Sequence, residues 1–188
     1  MPQVGLKNFH YALLKTDDET AVTYDMVKAI KGLIAADIKP SASSETLYAD
    51  DGPYDADTVL GDITINIETA DLSLEQQAEL LGHTISKGVL VSKASDKAPY
   101  VGIAFESRKS NGAIRYVKVL KVKFEEQNEA TKTQGNKVAF QTPKFEGKAV
   151  CRVFDGQWKR TADTDATEFD AKTATNWYKA IEESTVTG

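Results

Sequence analysis

The chain has 188 residues with 28 acidic and 23 basic side chains, which gives a net charge of −5 at pH 7. This length fits one domain that can bury a core without cross-links, and the single cysteine, Cys151, excludes an internal disulfide and is typical of a reducing compartment. No apolar run is long enough for a signal peptide or a membrane span, so we expect a soluble protein that is not secreted.

The charges are distributed in blocks along the chain. Residues 40–86 contain ten acidic side chains and no lysine or arginine, whereas residues 87–160 contain sixteen basic and seven acidic ones. Blocks of opposite sign attract one another within a subunit or between subunits. The sequence leaves open whether these blocks form such contacts or only solvated faces.

The first part of the chain favours strands. Residues 3–15 predict a strand or arm whose apolar pattern breaks between Leu6 and Phe9, and a polar turn follows at 16–20. Residues 21–38 fit a helix or strands, and Gly32 weakens the helical alternative. We therefore expect strands here.

Residues 41–58 predict a long loop because serine, aspartate, glycine and proline recur through them. A loop of this length is uncommon inside a compact domain and is often an interaction element. We expect it to contact another subunit, and folding back onto its own domain is the alternative. The candidate contact residues are Leu47, Tyr48, Asp50, Asp51, Tyr54 and Asp55.

A strand and a helix follow this loop. Residues 58–68 alternate between isoleucines and polar residues, which predicts a half-buried strand. Its polar face would carry Asp62, Thr64, Asn66 and Glu68. Next, Ser73 and Gln76 form a capping-box pattern and Gly82 is a stop signal. The short helix between them must pack on a sheet, through an apolar stripe of Leu74, Ala78, Leu80 and Leu81.

The remaining chain predicts mostly strands. They lie at 89–91, 99–108, 113–124 and 136–153, and a last β-segment follows Phe154. A change of apolar parity after Val119 indicates a bulge or burial on both faces. Strand 113–124 would have a basic face made of Arg115, Lys118, Lys121 and Lys123. Residues 169–182 have helical spacing, so we expect a mainly β protein with one short packing helix and a C-terminal helix.

No pattern of catalytic or metal-binding residues is present. His10 and His83 have no metal-ligand spacing, and we expect Cys151 to be a small buried hydrophobe. The sequence has neither a phosphate-binding glycine motif nor a nucleophile elbow. The acidic loop does not match a calcium loop, and the basic block lacks interleaved aromatic residues for nucleic-acid stacking. We expect no enzymatic activity, no metal and no cofactor.

Five segments carry a resemblance to a known family. In chain order they are SSETLYADDGPY, LEQQAELLGH, APYVGIAFESRKSNG, RYVKVLKVKF and VAFQTPKFEG. Together they resemble the major tail protein family of long-tailed phages of Gram-positive bacteria. The similarity runs from about Gly5 to Trp177.

The resemblance implies a tail-tube fold, which is a β-sandwich or barrel with a helix packed against it. It implies a single tail tube domain over residues 1–188, with the loop at 41–58 and a C-terminal helix at about 169–182. The chain ends at that helix, so we expect it to lack the immunoglobulin-like domain that some members add.

The resemblance also implies a virion protein assembled in the host cytoplasm. Six copies would form a ring, and stacked rings would form the hollow tube through which double-stranded DNA passes. Further partners would be the tape measure protein and the tail-end proteins, with no membrane partner. The polar face from Asp62 to Glu68 is our candidate for the lumen wall, with strand 113–124 as the rival. The alternatives to a tube subunit are another ring-forming component of the tail and a non-catalytic β-rich binding module.

Overall fold

The computed structural model describes residues 2–49, 52–126 and 142–182, with the backbone alone at 45–57. These residues form eleven strands and two helices. The elements are β1 Gln3–Asp17, β2 Val22–Tyr24, β3 Lys28–Ile30, β4 Leu33–Ala49, β5 Gly52–Thr69, α1 Leu74–Leu81, β6 Thr84–Ser86, β7 Val89–Val91, β8 Tyr100–Lys109, β9 Ile114–Phe124, β10 Lys144–Ala149, β11 Lys159–Asp163 and α2 Ala171–Asn176.

Nine strands form one antiparallel sheet, in the order β2-β1-β8-β9-β10-β5-β4, with β3 paired to β1 and β11 paired to β9. The sheet curls until Cα atoms of β1 and β4 lie within 8 Å of each other. The hairpin of β6 and β7 is a separate two-stranded sheet. The predicted mainly β fold is therefore confirmed.

The core lies on the concave side of this curled sheet. Ile63, Ile65 and Ile67 of β5 are almost fully buried there, as their alternation predicted. They meet apolar side chains of β1, β8, β9 and β10 in one cluster. The other side chains of this cluster are Phe9, Tyr11, Ile30, Leu80, Leu81, Val101, Ile103, Phe105, Val117, Val119, Val122, Phe124, Phe145 and Ala149.

Helix α1 closes the core and has the predicted caps. Ser73 and Gln76 form the capping box, and Gly82 takes the left-handed C-cap conformation. Three members of the predicted apolar stripe are buried, but Leu74 is 45% exposed, so that part of the prediction is wrong. Leu74 is the first residue of α1, so no earlier turn of the helix covers it.

The two predicted breaks in the strands are confirmed. The pairing of β1 with β8 shifts register near Gly5 and Asn8, which both have positive φ angles. The pairing of β8 with β9 shifts between Val101 and Ile103, opposite Leu120. Val119 and Leu120 are both fully buried because the core covers one face of β9 and residues 169–182 cover the other, and the bulge brings Val122 and Phe124 onto the core face. The choice of strands for residues 21–38 is also confirmed.

The C-terminal strap, residues 169–182, covers the convex face of β1, β8 and β9. The predicted C-terminal helix is present, but it spans only Ala171–Asn176, so the predicted extent of 169–182 is too long. A straight helix would lift the later apolar residues from the sheet, whereas turns after α2 lay Trp177 and Ile181 against it. Both are at most 2% exposed. Gly102 admits this approach, because a Cβ there would lie 2.6 Å from Ile181.

Charged side chains hold the strap in place. Lys118 is fully buried and donates a hydrogen bond to the carbonyl of Ala180 at 3.0 Å. Glu106 accepts a hydrogen bond from the Tyr178 hydroxyl at 2.8 Å. Arg152 pairs with Glu182 at the end of the strap. The strap is therefore fixed by polar contacts as well as by its apolar side chains.

The predicted basic face of β9 is not an open surface. Lys118 lies beneath the strap, Lys121 pairs with Asp17 at 2.5 Å, and Arg115 pairs with Asp163 at 2.6 Å. Lys123 alone among the four predicted residues is exposed. The basic-face prediction is wrong because the strap covers Lys118, while Asp163 of β11 and Asp17 of β1 supply acidic partners.

The loop predicted at 41–58 is instead the outer part of a hairpin. β4 and β5 pair from Leu33↔Thr69 to Ala49↔Gly52. Strand pairing satisfies backbone groups that a loop would leave to water, which outweighs the turn-forming composition. Asp50 and Asp51 lie outside the described residues, and so do the side chains of Leu47, Tyr48, Tyr54 and Asp55.

Cys151 is exposed, which contradicts its predicted burial. Strand β10 ends at Ala149, so the alternation that would bury Cys151 does not extend to it. The first half of the predicted strand pair, including Val138 and Phe140, lies outside the described residues.

The C-cap of α1 gives a test of the packing. A Cβ at Gly82 would lie 2.2 Å from the carbonyl oxygen of Lys97, whereas a Cβ at Gly88 would meet nothing within 4 Å. Both glycines are left-handed, so alanine costs about 1–2 kcal/mol at either position. We expect Gly82→Ala to cost about 1–3 kcal/mol more, measured by urea unfolding. Equal losses for Gly82→Ala and Gly88→Ala would contradict this packing.

Candidate assembly surface

The hairpin of β4 and β5 extends well beyond the body of the protein. β10 pairs with β5 only from Ile63 to Glu68. Beyond that point, the described strand residues 42–49 and 52–60 pair only with each other. We call this segment, residues 42–60, the projecting hairpin. At about 3.4 Å per residue, its eight-residue arm in β4 extends roughly 27 Å.

A bulge marks the point where the projecting hairpin leaves the body. The register shifts between Pro40↔Ile63 and Ala42↔Leu60. At the shift, the Ser41 hydroxyl donates a hydrogen bond to the carbonyl of Asp62 at 2.8 Å. A Cβ at Gly61 would lie 2.7 Å from the Ser41 Oγ, so glycine permits this contact. Bulges bend strands, and this one sets the direction in which the hairpin points.

The projecting hairpin exposes apolar side chains and strand edges. Val59 and Leu60 are 61% and 43% exposed. A two-stranded hairpin is only marginally stable alone in water, and unpaired strand edges are templates for another chain. Cover from a partner would stabilise both features. That residues 41–58 contact another subunit stays a prediction, and the element that would make this contact is a hairpin.

The predicted polar face of β5 lies on the convex side of the sheet. Asp62 is exposed, and the other three predicted residues are half-buried. The register places Lys39 and Lys148 on either side of Thr64. In the same way, Asp37 and Glu146 flank Asn66. This surface, the striped face, thus alternates basic and acidic rows, whereas the sequence predicted an acidic or neutral one.

Glu68 stays ionised at the end of the striped face. The Thr142 hydroxyl donates a hydrogen bond to it, and Lys144 pairs with it at 3.5 Å. The hydrogen bond from Thr142, helped by the charge of Lys144, lowers the pKa of Glu68 below its ordinary value. The face therefore keeps its mixed charge at neutral pH.

A third surface combines exposed valines with lysines. The turn between β6 and β7 has φ angles of 52° at Lys87 and 78° at Gly88, as a type I′ turn requires. Val89 is 60% exposed and Val91 is 36% exposed. We call residues 84–97 the basic hairpin, since it also exposes three lysines: Lys87, Lys93 and Lys97. The sequence analysis missed strand β6, although Lys-Gly between two short apolar runs could have indicated this hairpin.

His83 ties the basic hairpin to the body. Its ring is 3% exposed and contacts Asp96 at 2.9 Å and Glu126 at 3.1 Å. Asp96 also accepts a hydrogen bond from the backbone N–H of Lys93 at 2.9 Å. The hydrogen bond to Asp96, together with Glu126, raises the pKa of His83 despite its burial. His83 contacts the end of α1 through its backbone N–H, which donates to the carbonyl of Ala78 at 3.0 Å, whereas its ring bonds to the two carboxylates.

No group of three or more metal-ligating side chains occurs among residues 2–49, 52–126 and 142–182. A shallow depression of about 390 Å³ is lined by Tyr100, Lys123 and Lys148, and it contains no nucleophile with a base beside it. None of the helices in the described part of the chain is both long and apolar enough to cross a membrane. The three surfaces above are thus the best candidates for function.

Comparison with known proteins adds no relative. No protein-family model matches the chain, and no curated protein matches it. The function must be inferred from the surfaces themselves and from the resemblance in the sequence.

The contacts of His83 predict a pH-dependent stability. Because the pKa of His83 is raised in the folded state, its contribution is complete below about pH 6.5 and is lost as the pH rises through the folded value. We expect His83→Gln to reduce the free energy of unfolding more at about pH 5.5 than at about pH 9. Urea unfolding at both pH values measures this.

Asp96→Asn serves as the matched variant, since it removes the main partner of His83. It should show the same bias towards low pH within this range. Losses that are equal at the two pH values would mean that the contact acts without the charge of His83.

Proposed function

We propose that the chain is a major tail subunit that assembles as stacked hexameric rings into a phage tail tube. The observation that carries this proposal is the projecting hairpin, whose edges and apolar side chains lack cover within the described chain. The sequence resemblance supplies the class of assembly. The hairpin explains how one subunit reaches another, because it extends roughly 27 Å from the body.

A contact made by this hairpin favours an open assembly. The hairpin is long and acidic, so the surface that receives it must be different from the hairpin itself. Such contacts join unlike surfaces, and they propagate into rings or tubes. A symmetric pair of hairpins would instead bring acidic segments together, which costs free energy.

The striped face is the better candidate for the lumen wall. The rival surface on β9 is covered by the C-terminal strap, whereas Asp62 and its row neighbours are uncovered within the described chain. DNA phosphates bind most strongly to surfaces with uncompensated positive charge. Acidic rows between the basic ones reduce that attraction, which suits passage of double-stranded DNA without lasting binding.

The remaining expectations belong to the same proposal. The subunit would be part of the virion tail, assembled in the host cytoplasm, with itself as the main partner. The tape measure protein and the tail-end proteins would be further partners. No catalytic step and no cofactor is part of this function.

Removal of the projecting hairpin tests the proposal. Residues 42–61 can be replaced by Asn-Gly, a sequence that favours a two-residue hairpin turn, because the pairs between Leu33–Pro40 and Ile63–Thr69 remain. We expect the wild-type chain to form hollow tubes by negative-stain microscopy. The shortened chain should fold with a similar melting temperature and stay unassembled.

A pair of point variants provides the control. Val59→Asp places a charge on the projecting hairpin, and Val4→Asp does so at an equally exposed valine of β1, since these valines are 61% and 59% exposed. Only Val59→Asp should reduce the yield of sedimented tubes. If the shortened chain still forms tubes, the projecting hairpin is not needed for assembly and its proposed role is wrong. Closed rings that never stack would favour another ring component of the tail.

A further inference from the structure

We propose that the basic hairpin of one copy receives the projecting hairpin of the next copy. This inference rests on the proposed function, because it names the surface that completes the same contact. The partner on this surface is a second copy of this chain. Two observations carry it: complementary charge and matching exposed valines.

The charges of the two hairpins are opposite. Residues 42–61 contain five acidic residues and no basic one. The basic hairpin contains three lysines against one acid, Asp96, whose carboxylate is already bound to His83. Lys87, Lys93 and Lys97 form no ion pair with any of the described residues. Their charges are thus available to a partner, and complementary charge gives such a contact its register.

The apolar parts also match. Val59 and Leu60 are exposed on the projecting hairpin, and Val89 and Val91 are exposed on the basic hairpin. Each hairpin is two-stranded where these side chains lie, so each is marginal without cover. Val59 and Leu60 are neighbours in β5 and so point to opposite faces, and contact through the Val59 face would bury that side chain together with both valines of the basic hairpin. Lysines would surround this apolar centre on one side and carboxylates on the other.

The contact must lie between copies. In the single chain Val59 and Val89 are each about 60% exposed, so the two hairpins do not cover each other. His83 gives the receiving surface its rigidity, because its ring bonds to Asp96 of the basic hairpin. A rigid receiving surface reduces the entropy lost on association.

Charge exchange between the hairpins tests the proposal. Three substitutions reverse the charge of the basic hairpin: Lys87→Asp, Lys93→Glu and Lys97→Glu. Position 87 takes aspartate because that residue tolerates a positive φ. We expect this variant to fold and to lose at least about tenfold in tube yield, roughly 1.4 kcal/mol per contact. Adding Glu45→Lys, Asp55→Lys and Asp57→Lys to the same chain should restore assembly.

A control triple changes the net charge by the same amount elsewhere. Lys31→Glu, Arg108→Glu and Lys172→Glu alter exposed side chains outside both hairpins, and tubes should form as in the wild type. If both triples reduce the yield equally, net charge governs assembly and the proposed contact is wrong. If the reversed basic hairpin assembles normally while the shortened chain does not, the tube function stands and the receiving surface lies elsewhere.

Disulfide trapping provides a second measurement. With Cys151→Ser as background, cysteines at Val59 and Val89 should form bonds between copies under mild oxidation, giving a ladder of covalent oligomers. The control with cysteines at Val59 and Val4 should form no ladder. If Val59→Cys/Val89→Cys gives no ladder at concentrations where the chain sediments as an assembly, the proposed contact is wrong. If the wild-type chain never associates, the tube function is wrong as well.

Discussion

The structure depends on the unequal pairing of the two edges of β5. One edge pairs with β4 over nearly the whole strand, whereas the other pairs with β10 only from Ile63 to Glu68. Where β5 has both partners, its isoleucines enter the core. Where it has only β4, the same strand leaves the body at the bulge beside Gly61. One strand thus joins a fully buried part of the molecule to an exposed one.

The rest of the fold holds that strand in place. Helix α1 closes the core behind β5, and its Glu79 accepts a hydrogen bond from the Tyr11 hydroxyl at 2.7 Å and pairs with Lys28 at 2.5 Å. These contacts link the helix to β1 and β3. The C-terminal strap then covers the convex face of β8 and β9. As a result, the uncovered part of the convex face is the striped face around β5.

The sequence predicts what depends on local pattern. The isoleucines of β5 and the caps of α1 need only neighbouring residues to be recognised, and both predictions are confirmed. The bulge in β9 also left a local trace in the change of parity at Leu120. These features follow from the spacing of apolar residues and from capping residues, and both can be read within one short segment of the chain.

Features that depend on distant segments could not be predicted in this way. The basic residues of β9 gave no sign that Trp177 and Asp163 would cover and pair with them. The composition of the projecting hairpin favours turns, yet pairing between β4 and β5 prevails because it joins continuous backbone edges. The striped face arises only from register, since Thr64 gives no hint of Lys39 and Lys148 beside it.

The acidic composition of the projecting hairpin has a physical reason under the proposed assembly. A long hairpin with two free edges is a template for pairing with its own copies. Carboxylates opposed to one another make that pairing unfavourable, since like charges across strands destabilise a sheet. They do not oppose contact with the lysines of the basic hairpin. The absence of lysine and arginine from residues 42–61 therefore acts against aggregation and in favour of one partner surface at the same time.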